Sequence, residues 1–188
     1  MNVAEVAAAT SRLFDAAALP HAFGGALALN FYADPRATLD VDVNVFVPWE
    51  SRSTVIAVLE PIGYLPERSD HAATSIAGVR LTKPGAPVRL DLFLSTHDRY
   101  RTIQDRLNWF PFGPEGEHLP FLSAEDIALF KVSFNRDKDW VDLRRMIQGG
   151  PPFDLDYLER TLVEIRGPSM YPRVARLRAM SEAGGELR

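Results

Sequence analysis

The sequence predicts an α+β fold, with a mixed-sheet core over residues 1–120 and a helical C-terminal part over 121–188. Three observations predict it. Residues 39–47 (LDVDVNVFV) alternate polar and apolar, the period of a strand with one buried face. Residues 75–81 and 88–94 are two more apolar runs, joined by KPGAP, the composition of a hairpin turn. From Ser123 onward the apolar spacing becomes helical, broken at Gly149-Gly150-Pro151-Pro152 and Gly167-Pro168.

The elements follow in order. Residues 3–18 carry a helical period that ends before Pro20. Residues 21–23 are short and apolar and lead into Gly24-Gly25. Residues 26–33 read as a helix broken at Asp34-Pro35, because proline disfavours helix in the residue before it. The strand at 39–47 closes at Pro48, and Ser51 is placed to cap a helix to about Glu60. A short strand is expected at 62–65, a polar loop at 66–73 and a helix at 97–107. The Pro- and Gly-rich stretch 109–120 reads as a connection. Helices are expected at 123–134, 138–148, 154–166 and 172–183, the first opened by Ser123 with Asp126 three residues on.

Composition narrows the function classes. Of 188 residues, 46% are hydrophobic and 24% charged, which gives a core and excludes a disordered chain. A formal charge of −4 excludes an overall basic nucleic-acid coat, though not a local basic patch. Residues 121–188 balance at 11 basic and 11 acidic, and Arg166, Arg173, Arg176 and Arg178 are candidates for a phosphate-contacting side of the last helices. Cysteine is absent, which removes disulfides and thiolate chemistry and fits a cytoplasmic protein. No apolar run approaches a membrane span, and the N-terminal stretch has no basic n-region. Eighteen basic residues are Arg and three are Lys (Lys83, Lys131, Lys138), so each lysine is a position to examine.

The acidic strand carries the chemistry. Asp40 and Asp42 are two apart, so both carboxylates leave one face. Like charges this close repel, and aspartate is a poor strand former, so the pair points to a bound cation. Hard oxygen ligands suit Mg²⁺ or Mn²⁺. Asp91, inside the apolar run at 88–94, is a third candidate ligand, and three carboxylates can hold two metals for displacement at phosphorus. The bland alternatives are the solvent-facing edge of a half-exposed strand for Asp40 and Asp42, and an ion pair with a neighbouring arginine such as Arg89 for Asp91. Gly24-Gly25 lets backbone approach a phosphate closely, and Arg36 and Thr38 flank the acidic strand where phosphate contacts are expected. Its alternative is a simple turn. The four histidines (His21, His71, His97, His118) have no ligand spacing, Ser51, Ser53 and Ser69 lack a nucleophile motif, and Trp49, Trp109 and Trp140 read as core or partner contacts.

The ordered set Gly24-Gly25, Asp40-Val41-Asp42 and Asp91 resembles the nucleotidyltransferase (polymerase-beta-like) superfamily. FGGALAL with RATLDVDV is most similar to its AbiEii and MenT toxin branch, and residues 123–143, with Lys131, Arg136, Lys138, Asp139 and Asp142, resemble that branch's later motifs. The resemblance spans about residues 21–145; Gly25 departs from the serine of many superfamily members. It implies a mixed-sheet nucleotidyltransferase fold. It also implies Mg²⁺-dependent transfer of NMP, expected to be a pyrimidine nucleotide, from NTP to an RNA acceptor, expected to be the tRNA 3′ end. Lys131 would contact the triphosphate and Asp139 would join the active site; their alternatives are a snorkelling lysine and a helix-surface ion pair. A cognate antitoxin protein would be a partner. Competing readings are nucleotidylation of a small molecule or protein hydroxyl, and an inactive binding module that keeps the fold.

Overall fold

The alternating segment sits in the middle of a sheet. The computed structural model describes residues 1–67 and 78–185. Among these, β1 (His21–Phe23), β2 (Asp40–Pro48), β3 (Leu65–Pro66), β4 (Gly78–Thr82), β5 (Arg89–Ser95), β6 (Asn108–Pro111) and β7 (His118–Phe121) form one sheet in the order β3-β4-β5-β2-β1-β7-β6. β2 runs parallel to β5 and β1 parallel to β7; the other pairs are antiparallel. The register sets Val41, Val43 and Val45 opposite Leu90, Leu92 and Leu94, and all six side chains are buried. Helix α1 (Val3–Ala16) lies against β1 and β2 and buries Val6 and Phe14, and Asn2 and Glu5 close a reciprocal capping box at its start.

The chain divides into two compact units. Residues 1–27 and 37–122 form the sheet unit; residues 28–36 and those from Ser123 on form the helical unit. Besides α1, the chain carries α2 (Gly25–Leu29), α3 (Arg52–Val58), α4 (Tyr100–Gln104), α5 (Ala124–Phe134), α6 (Asp137–Gly149), α7 (Leu155–Arg166) and α8 (Tyr171–Gly185). The helical unit packs Ala128, Leu129, Val132, Trp140, Leu143, Leu158, Leu162, Val174 and Leu177 into a core of its own. Ser123 caps α5, accepting from the Asp126 amide, while the buried Asp126 carboxylate accepts from Ser123 Oγ at 2.6 Å and Tyr157 Oη at 2.7 Å. No helix among the described residues is long and apolar enough to cross a membrane.

Several elements differ from the sequence-based expectation. Residues 109–120 form a β6–β7 hairpin rather than a bare connection; Gly113 and Gly116 take positive φ in the turn, and β7 buries Leu119 and Phe121. Pro111 is tolerated because β6 is an edge strand. Ser51 makes no capping hydrogen bond: it ends a 3-10 turn at φ −79° and ψ 0°, outside the extended conformation a cap needs. Helix α2 stops at Leu29, where the Asn30 side chain takes both the backbone N–H and C=O of Arg36 and closes the following loop. The strand expected at 75–81 is observed as Gly78–Thr82; residues 75–77, with Ser69 and His71, lie outside the described residues.

The C-terminal arginines do not form a free basic stripe. Arg173 Nη1 donates to the carbonyls of Val132 (3.3 Å) and Ser133 (2.8 Å), which lack intrahelical donors at the end of α5. Arg166 Nε donates to Ser133 Oγ, and Arg176 lies 3.9 Å above the Trp140 ring. Arg178 pairs with Asp156 and Glu159. Each of the four guanidiniums thus has a partner within the helical unit.

One buried pair makes the sheet unit pH-sensitive. His21 Nδ1 faces the Leu19 carbonyl at 3.0 Å, and a carbonyl only accepts, so Nδ1 carries the proton and Nε2 accepts from Ser11 Oγ at 2.9 Å. Burial pushes the His21 pKa below its ordinary value, against small opposing effects of the Leu19 hydrogen bond and of Asp15, 4.0 Å away. The unfolded chain therefore binds this proton more readily than the folded one. His21's contribution to stability is full above the ordinary imidazole pKa of about 6.5 and falls as pH drops toward its lower folded-state value. Melting temperatures measured between pH 7.5 and 5 are expected to fall with pH, and His21→Gln is expected to flatten that slope.

Candidate active site

The sequence-predicted residues fall into two sets, one in each unit. In the sheet unit, pairing of β2 with β5 sets Asp42 opposite Asp91 and Asp40 opposite Arg89. The three carboxylates share the face opposite the buried Val and Leu side chains. β2 is an interior strand, and Asp40 and Asp42 on it are half-buried. β1 lies on the other side of β2, where the Gly24 amide donates to the Asp42 carbonyl at 2.9 Å.

Gly25 has φ +54°, and a Cβ there would overlap Asp42 Oδ2 and Cγ. A Cβ on Gly24 would stand 2.9 Å from Asn44 Nδ2. Gly25 is thus required by its conformation and by close approach, Gly24 is tightly packed, and the Gly25 backbone borders the Asp42 carboxylate. Because the Gly24 amide belongs to the sheet ladder, any phosphate contact of this pair falls to Gly25. Thr38 Oγ1 bonds the backbone of Asp40, accepting from its N–H at 3.1 Å, and so steadies the start of β2.

Two arginines hold the outer carboxylates. Arg80, opposite Asp91 in the β4–β5 register, donates from Nε to Oδ1 at 2.8 Å and from Nη2 to Oδ2 at 2.7 Å. Arg89 Nε donates to Asp40 Oδ1 at 2.7 Å. The ion pair considered for Asp91 therefore exists, but with Arg80 instead of Arg89. Sequence reasoning missed Arg80; its signal, a charge in an apolar strand opposite Asp91, needs the hairpin register to be seen. The hydrogen bonds to Asp91 keep the Arg80 guanidinium even more firmly protonated than an ordinary arginine.

Among the described residues no three acidic or histidine side chains already form a cage around one point. The donor set still fits a divalent cation. All three groups are hard oxygen donors on one face, and the missing Cβ at Gly25 leaves Asp42 Oδ2 its room. The guanidiniums on Asp40 and Asp91 are half-exposed.

In the helical unit, the expected Lys131, Asp139 and Arg36 meet, together with Asp142. Lys131 Nζ lies 2.6 Å from Asp142 Oδ2 and 3.8 Å from Asp139 Oδ1, and all three groups are buried. Arg36 Nη2 donates to the same Asp142 oxygen at 3.3 Å, and Arg36 Nε is buried without a partner. Asp139 accepts from the Arg136 amide, Nε and Nη2, which fastens the first turn of α6. Lys131 is therefore not a snorkelling surface lysine, and Asp139 is not a surface charge.

The model of the family "Nucleotidyl transferase AbiEii toxin, Type IV TA system" matches residues 8–183. The chain belongs to this family. Its activity class is nucleotidyl transfer, and a toxin of this kind has an antitoxin counterpart. No curated protein matches the chain in sequence. Among solved structures, the AbiEii-family chain is similar to ANT(2'')-Ia in complex with adenylyl-2''-tobramycin, with TM-score 0.54, 16% identity and coverage of 93% of this chain and 95% of that one. A second is an antigenic nucleotidyltransferase-like protein from Paracoccidioides brasiliensis, with TM-score 0.52, 20% identity and 90% coverage of each chain. These likenesses show the nucleotidyltransferase fold. The family match runs beyond residues 21–145, where the motifs lie, and takes in the last helices.

Two stability predictions follow from this geometry. Removing one member of a buried ion pair strands the other, at a cost of about 3–5 kcal/mol. Urea denaturation of Lys131→Met or Asp142→Leu is expected to show a loss of that order, with the double variant losing less than either. Gly25→Ser is expected to cost about 1–3 kcal/mol by the same measurement, because it adds a left-handed non-glycine residue and a collision with Asp42.

Proposed function

We propose that this chain transfers a nucleoside monophosphate, from a pyrimidine NTP, to the 3′ end of tRNA, releasing pyrophosphate and blocking aminoacylation. The observation that carries the reading is the registration of Asp42 opposite Asp91, beside Gly24-Gly25, on the face that also bears Asp40. Asp40, Asp42 and Asp91 would hold Mg²⁺ or Mn²⁺, and a bound cation of this kind neutralises and orients phosphate oxygens. The Gly25 backbone meets the phosphates. Asp91 accepts the proton of the attacking hydroxyl. Lys131 and Arg36 offset charge on the phosphates after exchanging Asp142 for them, and Asp139 holds the start of α6 for that exchange. The family supports the nucleotidyl transfer; the RNA acceptor and the pyrimidine preference are the finer part of the proposal. NTP and tRNA place the activity in the cytoplasm, with an antitoxin protein neutralising it.

A second reading is favoured by the likeness to ANT(2'')-Ia, whose complex holds an adenylylated aminoglycoside. In it the acceptor is a small-molecule hydroxyl. One assay separates the two. Purified protein is incubated with Mg²⁺, each labelled NTP in turn, and total tRNA or tobramycin. Label from CTP or UTP on tRNA, abolished when the 3′-terminal diol is oxidised with periodate, is the expected result. Label on no RNA with any NTP overturns the tRNA reading, and label on tobramycin moves the chain to the second. Asp42→Asn is expected to lose about 100-fold or more in rate; unchanged activity would refute the carboxylate role.

A further inference from the structure

We propose that Arg80 and Arg89 are exchangeable counterions that make cation binding at Asp40, Asp42 and Asp91 depend on the nucleotide, and that both guanidiniums move onto its phosphates when it binds. This rests on the reading of those three aspartates as the cation site and names residues which that reading leaves out.

The face carries three carboxylates and two guanidiniums, so its formal charge is a single net negative. Both oxygens of Asp91 are taken by the Arg80 fork, and Asp40 Oδ1 is taken by Arg89. A bare divalent cation reaching Asp40 and Asp91 displaces these guanidiniums and leaves them beside a new positive charge. A cation arriving with a triphosphate brings the acceptors the guanidiniums need, because the planar arginine fork matches phosphate oxygens as it matches a carboxylate. Exposure decides which partner moves. The Asp91 side chain is 16% exposed against 45% for Arg80; Asp40 is 36% exposed against 45% for Arg89, so for that pair the longer stem of the arginine decides. The carboxylates stay and the arginines swing. The attraction of Glu67 and Asp40 for Arg80 adds to its hold in the resting arrangement.

By linkage, cation and nucleotide then tighten each other's binding by one common factor. The test reads Mn²⁺ binding from the loss of the free-ion electron paramagnetic resonance signal. It uses the full chain, with and without an α,β-methylene NTP that cannot react. The wild type is expected to bind Mn²⁺ weakly alone and at least about tenfold more tightly with the analogue, within the usual range of coupling. Arg80→Gln with Arg89→Gln is expected to bind Mn²⁺ alone about tenfold more tightly than the wild type and to lose most of the coupling. Arg80→Lys, which keeps the charge but not the fork, is expected to fall between them and guards against a folding defect in the double variant. Unchanged or weaker Mn²⁺ binding by the arginine variants without nucleotide, with the wild type binding normally, overturns this proposal alone. No Mn²⁺ binding by any of the proteins, with or without the analogue, overturns the cation reading and this proposal with it.

Discussion

The parallel pairing of β2 with β5 is the constraint on which the rest of the sheet unit depends. Three valines and three leucines lie opposite one another and are buried on one side. Because side chains alternate with a period of two, that burial alone forces Asp40, Asp42 and Asp91 onto the other side. A slip of one residue would bury the carboxylates and expose the apolar set, at several kcal/mol for each unpaired charge. The candidate site's carboxylates are thus positioned by apolar residues on the opposite side of the sheet. The same strand, through its other neighbour, fixes the glycine pair, since the Gly24 amide is a rung of the ladder to Asp42.

Arginine performs in this chain what lysine cannot. Arg80 grips both oxygens of Asp91, Arg173 reaches two orphan carbonyls of α5 from Nη1, and Arg176 lies over the Trp140 ring. The grip on Asp91 uses the planar fork, which a point charge lacks. Lys131, by contrast, is a compact charge in a tight buried pair with Asp142. The excess of arginine over lysine therefore has structural content in both units, whatever its genomic origin.

Much of this was legible in the sequence. The alternation of residues 39–47 gave β2 and its acidic face, and the helical spacing after Ser123 gave α5 to α8 with the Ser123 cap in place. The candidate site's carboxylates and glycines stood out because a charged residue in an apolar strand, or a glycine pair before a helix, conflicts with local propensity. What stayed hidden is what depends on register. The Arg80–Asp91 pair joins neighbouring strands, and no spacing along the chain reports which residues stand opposite. The β6–β7 hairpin was obscured by prolines that only an edge position tolerates. The fate of Arg173 and Arg178 was unreadable because a charge run looks the same whether it meets solvent, RNA or the end of a helix.

The overlap between a side chain at position 25 and the carboxylate at position 42 also limits how this protein can change. The two sites form an epistatic lock. Any residue larger than glycine at 25 is strained until Asp42 is altered or the backbone has left the left-handed region. The first route removes a proposed ligand and the second requires several coordinated changes. Serine at this position therefore carries a stability cost for as long as the chain keeps its present backbone and Asp42.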